Sequence, residues 1–196
     1  MATFSDTTPE EVARAYPGDE LIPDADSSVF TMATSLPGPP EKVWPWLVQM
    51  GYGRAGWYSW DRLDNGGTPS ADRIMPQWQS IEVGQHLIEA RDGRSWFTVE
   101  RVEPNRTLAL RTVIELPSGR SIDPKSGASL RAYADGVWSF NLQPDPGGQT
   151  RLVTRMRGRT RPRALRLFGL VVGDPAHFIM QTRQFHGLRV RVSPGR

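Results

Sequence analysis

The chain predicts an α+β fold in which a curved antiparallel β-sheet of six to seven strands wraps round a long C-terminal helix and leaves an internal hydrophobic cavity. Three observations support this prediction. β-Rich segments of alternating polarity, joined by short turns, occupy most of residues 81–160, as is typical of an antiparallel meander. Residues 176–192 carry the one helical pattern long enough to cover the apolar face of such a sheet. A strongly curved sheet that grips a single helix does not close completely, so we expect a cavity between them.

The N-terminal residues 1–26 predict an acidic arm, followed by one ligand-binding domain over residues 27–192. The arm carries seven acidic residues and one arginine. Thr8 and Glu11 have the spacing of a capping box, with proline at the first helical position between them. We therefore expect a short helix that ends near Ala15.

The remaining elements follow from hydrophobic periodicity and from turn residues. Asp92 and Gly93 are a hairpin signal, and a polar, glycine- and serine-rich loop is expected over residues 117–134. Trp138 and Phe140 share one side of their strand and should face the core. The expected strands are 27–36, 85–90, 95–103, 107–115, 135–143 and 149–160, and the expected helices are 41–50, 59–63, a turn ended by Pro76, 165–172 and 176–192.

The last helix is expected to grip the sheet through an apolar stripe. Asp174 should cap its start, and Pro175 should occupy its first position. The stripe itself consists of Phe178, Phe185, Leu188 and Val192.

Basic residues are concentrated at the C-terminal end, where the last 46 residues carry eleven arginines and one acidic residue. A basic surface can bind nucleic acid or an anionic membrane. Five of these arginines, however, share one side of a strand, which favours an ordinary polar face in water. An RNA-binding sheet would interleave aromatic residues with them, so no nucleic-acid partner is expected. The five are Arg151, Arg155, Arg157, Arg159 and Arg161.

Composition excludes several classes of site. Without cysteine there is no disulfide and no thiolate metal site, and a cytoplasmic location is expected. No apolar run reaches the roughly 20 residues of a membrane span, and no signal peptide is expected. His86, His177 and His186 lack a metal-binding spacing, and no glycine-rich phosphate loop is present. We therefore expect neither a metal nor any other cofactor.

Three segments carry a family resemblance. Residues 54–65 (RAGWYSWDRLDN), with SADRI at 70–74 and QWQ at 77–79, form the most specific of them. PAHFIM at 175–180 and PPEKVWPWL at 39–47 are weaker signals. Together these segments resemble the polyketide cyclase/dehydrase-like branch of the START-type (SRPBCC) helix-grip superfamily, over roughly residues 27–192.

The resemblance implies a helix-grip fold with a deep hydrophobic cavity. Members bind lipids, polyketides, hormones or other hydrophobic molecules, and some catalyse aromatisation, cyclisation or dehydration of polyketide intermediates. The superfamily has no universal catalytic motif, so the fold is implied more firmly than any activity.

Three residues are candidates for catalysis. Asp61 is either a base or anchoring carboxylate, or a structural residue that pairs with a nearby arginine or caps a helix. Arg73 either binds a carboxylate or enolate end of the ligand, or pairs with Asp61 or Asp64. His177 lies in the first turn of the last helix, where a cavity mouth is expected. Desolvation in an apolar cavity would shift the pKa of such groups and suit them to acid–base work.

Aromatic residues and one methionine are candidates for contact with the ligand, with core packing as the alternative for each. They are Trp57, Tyr58, Trp60, Trp78, Trp96, Trp138, Phe140 and Met180.

Two functions from different classes fit these observations. One is a cyclase- or dehydratase-type enzyme that uses Asp61, Arg73 and His177 on a hydrophobic carbonyl compound. The other is a non-catalytic carrier or sensor of an apolar molecule, and a protein-interaction or co-chaperone module is a weaker third. The expected partner is a small polyketide-like or lipid-like molecule, and the expected assembly is a monomer or a homodimer.

Overall fold

Six antiparallel strands form the sheet of the computed structural model, which describes residues 7–89, 91–166 and 174–193. Their order across the sheet is β1-β6-β5-β4-β3-β2, so every neighbour except the β1–β6 pair is also adjacent in sequence. This arrangement, curved round a C-terminal helix, is an α+β helix-grip fold and confirms the predicted fold class. The strands are β1 (Ser27–Leu36), β2 (His86–Ile88), β3 (Trp96–Glu103), β4 (Thr107–Glu115), β5 (Tyr133–Asp145) and β6 (Gln149–Arg161).

Four α-helices lie within the described residues. The Thr8 side chain and the Glu11 side chain form the predicted capping box at the first of them. The turn expected to end at Pro76 instead begins there, as a 3₁₀ turn, because proline fits the first helical position. The prediction for 165–172 falls largely outside the described residues. The helices are α1 (Pro9–Ala13), α2 (Pro40–Val48), α3 (Asp61–Asp64) and α4 (Asp174–Val192).

Helix α4 packs into the concave side of the sheet through its C-terminal half. Phe185, Leu188 and Val192 are buried there, as predicted. Phe178 is 47% exposed, so its assignment to the buried stripe is wrong. The reason is that close packing is concentrated in the C-terminal half of α4, whereas the N-terminal half borders a cavity.

The backbone of Tyr58 makes the tightest contact with α4. A Cβ added to Gly187 would lie 2.2 Å from the Tyr58 carbonyl oxygen, so only glycine fits at this point of the helix. The Arg191 guanidinium lies 4.7 Å from the centre of the Tyr58 ring. It also donates to the carbonyl oxygens of Ala71 and Ser70, at 2.6 and 3.1 Å. The segment that follows α2 is thereby fixed to the helix.

Gln49 anchors the same segment from the other side. Its side-chain amide donates to the Tyr58 hydroxyl at 2.8 Å and to the Arg73 carbonyl oxygen at 3.2 Å. Its side-chain oxygen accepts from the Met75 backbone N–H at 2.9 Å. The Tyr58 hydroxyl in turn donates to the Trp46 carbonyl oxygen at 3.0 Å. These bonds tie both ends of the segment 58–75 to the residue that follows α2.

The arginines of β6 are not a solvated face, contrary to the sequence interpretation. The acidic arm lies across them, and Arg151 makes a two-bond ion pair with Glu11 at 2.7 and 3.0 Å. Arg161 is bonded to Asp24 and Asp26 at 2.9 and 2.8 Å. The alternation within β6 does not reveal this pairing, which arises because the acidic arm and the basic strand carry opposite charges and attract each other.

Gly187→Ala is expected to lower the free energy of unfolding by about 2 kcal/mol, because the added methyl group overlaps the Tyr58 carbonyl oxygen. Gly136→Ala is the matched control, since its Cβ would lie 3.9 Å from the nearest atom. Urea unfolding of the two variants measures the difference. Equal stability of the two variants would contradict the close approach of α4.

Candidate functional site

A cavity of about 280 Å³ lies between the N-terminal half of α4 and the sheet. Its volume is near the lower end of the range for ligand pockets, about 300–1,000 Å³, which favours a compact ligand. The wall combines aromatic, aliphatic and polar side chains from α3, α4, β3, β5 and the connecting segments. The lining residues are Trp57, Ser59, Asp64, Glu89, Phe97, Trp138, Ala176, His177, Met180, Gln181 and Gln184.

Three aromatic rings form one wall of the cavity. The centre of the Trp57 ring lies 6.0 Å from that of Trp138 and 5.6 Å from that of Phe97, and the last two are 5.8 Å apart. Both indole N–H groups are already used: Trp57 donates to the Glu89 carbonyl oxygen at 3.1 Å, and Trp138 donates to the Gln181 side chain at 2.9 Å. The rings therefore offer a ligand only carbon surface and π-electron density.

Two hydrogen-bonded glutamines, Gln181 and Gln184, hold this aromatic wall in place. The Gln181 amide donates to the Gln184 side-chain oxygen at 2.8 Å. Gln184 then donates to the Trp57 carbonyl oxygen at 3.0 Å. Ser59 adds a further link between the same segment and α4, because its hydroxyl donates to the Met180 carbonyl oxygen at 3.0 Å. These polar side chains form hydrogen bonds within the protein, and the bonds fix the shape of the wall.

Asp64 is the most unusual polar residue of the cavity. It lies at the end of α3 and is only 7% exposed, yet neither of its carboxyl oxygens has a hydrogen-bond partner of good geometry. Burial, and after it the negative charge of Asp61, raises the pKa of Asp64 to about 6. Its carboxyl group can therefore lose and regain a proton near neutral pH.

His177 is the second unpaired group. Its Nε2 atom is buried without a hydrogen-bond partner. The imidazole lies between two aromatic rings, 5.2 Å from Phe30 and 5.1 Å from Trp138, measured between ring centres. Burial lowers the pKa of His177 to about 4, so the ring is neutral at pH 7. A neutral imidazole can offer a hydrogen bond to a ligand without adding charge.

Glu89 supplies a second acidic side chain at the cavity wall. Burial raises its pKa, and a hydrogen bond from Ser95 offsets part of this rise. Within the described part of the chain, no lysine or arginine lines the cavity. The site is thus apolar and acidic in character.

Four of the predicted site residues line the cavity: Trp57, Trp138, His177 and Met180. Asp61 and Arg73 do not. The Asp61 carboxylate accepts a hydrogen bond from the Ser70 hydroxyl at 2.5 Å and borders a separate surface pocket. The Arg73 side chain is exposed. Catalytic roles for these two residues stay predictions that the geometry of the cavity does not favour.

The other five predicted contact residues lie away from the cavity. Trp60 is 47% exposed, beneath the guanidinium of Arg183. Trp78 packs against the Arg54 guanidinium, and Trp96 stacks on His86 at 5.1 Å. The remaining two, Tyr58 and Phe140, are fully buried in the core.

Sequence reasoning did not select Asp64, Glu89, Gln181 or Gln184 as site residues. One signal was available for the glutamines, because they follow His177 at helical spacing and interrupt the apolar face of α4 beside Phe185. For Asp64 and Glu89 the sequence offered no comparable signal, since neither belongs to a pattern that requires a buried acid.

Several solved structures are similar to this chain. A protein from Nitrosospira multiformis matches with a TM-score of 0.51 at 12% sequence identity, over 85% of this chain and 97% of that protein. A Mesorhizobium loti protein matches with a TM-score of 0.43 at 22% identity, over 83% of this chain and 96% of that protein. DynU16, a protein of the dynemicin biosynthetic locus, matches with a TM-score of 0.46 at 13% identity, over 83% of this chain and 48% of that protein.

These similarities concern the fold and not an activity. At 12% identity, the likeness to the Nitrosospira protein shows that the two chains share an architecture. No family model matches the chain, and no curated protein matches it either. No helix among the described residues is long and apolar enough to cross a membrane.

Asp64 and His177 predict opposite responses of stability to pH. The pKa of Asp64 is higher in the folded than in the unfolded protein, so this residue favours folding as the pH falls through 6. The folded-state pKa of His177 is lower than its unfolded value, so this residue disfavours folding as the pH falls from 6.5 towards 4. The two contributions add, so comparing a variant of one residue with the wild type isolates the effect of that residue, because the other is unchanged in both.

Asp64→Asn is therefore expected to be more stable than the wild type at pH 7.5. This advantage should shrink by about 1 kcal/mol between pH 7.5 and 5, because the wild-type carboxyl is protonated at the lower pH. Urea unfolding at both pH values measures it, with the exposed Asp72→Asn as control. A difference between Asp64→Asn and wild type that did not change with pH would contradict the burial of an ionised Asp64.

Proposed function

We propose that the protein binds a small hydrophobic molecule in this cavity and performs acid–base chemistry on it, in the manner of a cyclase or dehydratase. One observation carries the proposal: the Asp64 carboxyl group is buried without a hydrogen bond of good geometry and borders a cavity that has an aromatic wall. The composition of the chain, without cysteine, is consistent with action in the cytoplasm.

The physical basis of the proposal is the cost of the unpaired groups. A buried polar group without a partner costs about 1–3 kcal/mol, and more if it is charged. Asp64 and His177 both carry this cost at the same cavity. Such groups are concentrated at functional sites, where a bound ligand supplies the missing partner.

The two groups have complementary chemistry for a carbonyl compound. The ionised Asp64 carboxylate removes a proton from the carbon next to the carbonyl, and the electron pair of the broken C–H bond forms an enolate. In its Nε2–H tautomer, neutral His177 donates a hydrogen bond to the enolate oxygen. In a dehydration, the electron pair of the enolate forms a C=C bond as the carbonyl is restored and the C–O bond to the hydroxyl group on the adjacent carbon breaks. The proton on Asp64 passes to this hydroxyl group, which leaves as water. The pKa of Asp64 near 6 suits both halves of this cycle.

The binding part of the proposal can be tested by filling the cavity. Met180→Trp is expected to weaken binding of the neutral fluorescent probe N-phenyl-1-naphthylamine at least about tenfold, because the larger side chain occupies the ligand's space. Ile179→Trp is the matched control, since Ile179 is 58% exposed on the neighbouring position of the same helix. Fluorescence titration gives both affinities. Equal binding by the two variants would place the probe outside the cavity.

The catalytic part can be tested by proton exchange. In D₂O, the wild-type protein is expected to speed deuterium exchange at the α-carbon of 2-tetralone, a compact neutral ketone. Asp64→Asn should reduce this acceleration about 100-fold or more while probe binding persists. Asp61→Asn should retain it, because the Asp61 carboxylate is bonded to Ser70 outside the cavity. NMR measures the exchange.

The outcomes of this experiment separate the competing functions. Loss of exchange in Asp61→Asn but not in Asp64→Asn would restore Asp61 as the base. Probe binding without exchange in the wild type would remove the enzymatic part and leave a carrier or sensor of hydrophobic molecules.

A further inference from the structure

We infer that the ligand of the cavity carries a positively charged amine on a compact aromatic or aliphatic body. The inference rests on the ligand-binding part of the proposed function alone, because it names the chemical class of the molecule that the cavity binds and assigns Asp64 to charge pairing rather than to proton removal. It depends on three features of the wall: a buried carboxyl group without a basic partner, aromatic rings that line the cavity, and the absence of basic side chains from the described lining residues.

The Asp64 carboxyl group lacks the basic partner that a buried carboxylate normally has. Elsewhere in this structure, buried carboxylates are paired: Asp135, which is 2% exposed, lies between Arg111 and Arg159 at 2.9 and 3.0 Å. Asp64 is similarly buried but has no arginine partner and no hydrogen bond of good geometry, and the nearby Ser59 hydroxyl offsets only part of the rise in its pKa. A cationic ligand would supply at Asp64 the charge that the two arginines supply at Asp135.

The surrounding elements do not provide that charge. Arg62, on α3, is exposed and borders a surface pocket rather than the cavity. Arg183, on α4, points to the same outer side, where its guanidinium lies 5.2 Å from the ring centre of Trp60. His177 faces the cavity but stays neutral at physiological pH. No arginine contributes to the pKa of Asp64, which burial and Asp61 raise.

The aromatic wall is suited to the same ligand class. With their N–H groups bonded to the protein, Trp57 and Trp138 present π-electron surface to the cavity, and Phe97 lies beside them. Aromatic faces attract cations, most strongly when water is excluded. They also bind the uncharged part of an aromatic molecule. An anionic ligand would instead be repelled by Asp64 and would find no basic partner among the described lining residues.

Three ligands with one ring system and different charge test this inference. They are 2-aminotetralin, which is cationic at pH 7.5, the neutral 2-tetralol and the anionic tetralin-2-carboxylate. The wild-type protein is expected to bind the amine at least about tenfold more tightly than the alcohol, and the carboxylate most weakly. Isothermal titration calorimetry at pH 7.5 measures the three affinities.

Asp64→Asn is expected to reduce the preference for the amine over the alcohol at least about tenfold, with little change in the affinity for the alcohol. Asp72→Asn removes one exposed carboxylate from a nearby segment and should leave the preference unchanged. If Asp64→Asn fails to fold, Glu89→Gln provides the second variant, because Glu89 also lines the cavity. A preference kept in whichever of the two variants folds would overturn the inference.

The outcomes also distinguish this inference from the proposed function. If the wild type binds the alcohol as tightly as the amine, the inference is wrong, whereas binding of small hydrophobic molecules stands. If it binds neither of these ligands nor N-phenyl-1-naphthylamine, both proposals are wrong. Binding of the amine by Met180→Trp with wild-type affinity would place the amine outside the cavity and overturn the inference alone.

Discussion

The close approach of α4 to the backbone of Tyr58 determines where the cavity lies and what lines it. Gly187 allows this approach because it has no Cβ. The two neighbours of Tyr58 are consequently held against the helix: Gln184 donates to the Trp57 carbonyl oxygen, and Ser59 donates to that of Met180. Both neighbours line the cavity. The α4–Tyr58 contact thus closes one end of the space between helix and sheet, and the cavity lies beside the N-terminal half of the helix.

The cavity wall contains two kinds of polar side chain that serve different purposes. Gln181 and Gln184 are bonded to each other and to the tryptophan wall, so they give the cavity a fixed shape. Asp64 and the Nε2 atom of His177 are also buried, but neither has a hydrogen bond of good geometry. Under the proposed function, a wall that the two glutamines already hold in place would lower the ordering cost of ligand binding.

The fold could be predicted from the sequence because its signals are local and repeated. Alternation in β1, β5 and β6 gave the strands to within a few residues, and the capping box at Thr8 gave the first helix. The single assignment of Phe178 to the core failed because helical spacing does not reveal which half of a helix is packed.

The site was less predictable for a physical reason. Helix α3 consists of the four residues DRLD, with one aspartate at each end, Asp61 and Asp64. The sequence does not show which of these two carboxyl groups faces the cavity. A hydrogen bond from Ser70 turns Asp61 away from the cavity. Trp57 and Trp138 were predicted from their aromatic character. Whether Asp64 has a partner, by contrast, depends on contacts between segments that are far apart in the chain.

The acidic arm has a consequence for how the chain would respond to proteolysis. Its described residues, 7–26, lie on the outer side of the sheet, where Arg151 and Arg161 are bonded to carboxylates of the arm, and none of them lines the cavity. Cleavage after residue 26 would raise the net charge by six units and uncover guanidinium groups repeating about every 7 Å along β6. The trimmed molecule would adhere to polyanions such as heparin resin, while every described residue that lines the cavity would be retained.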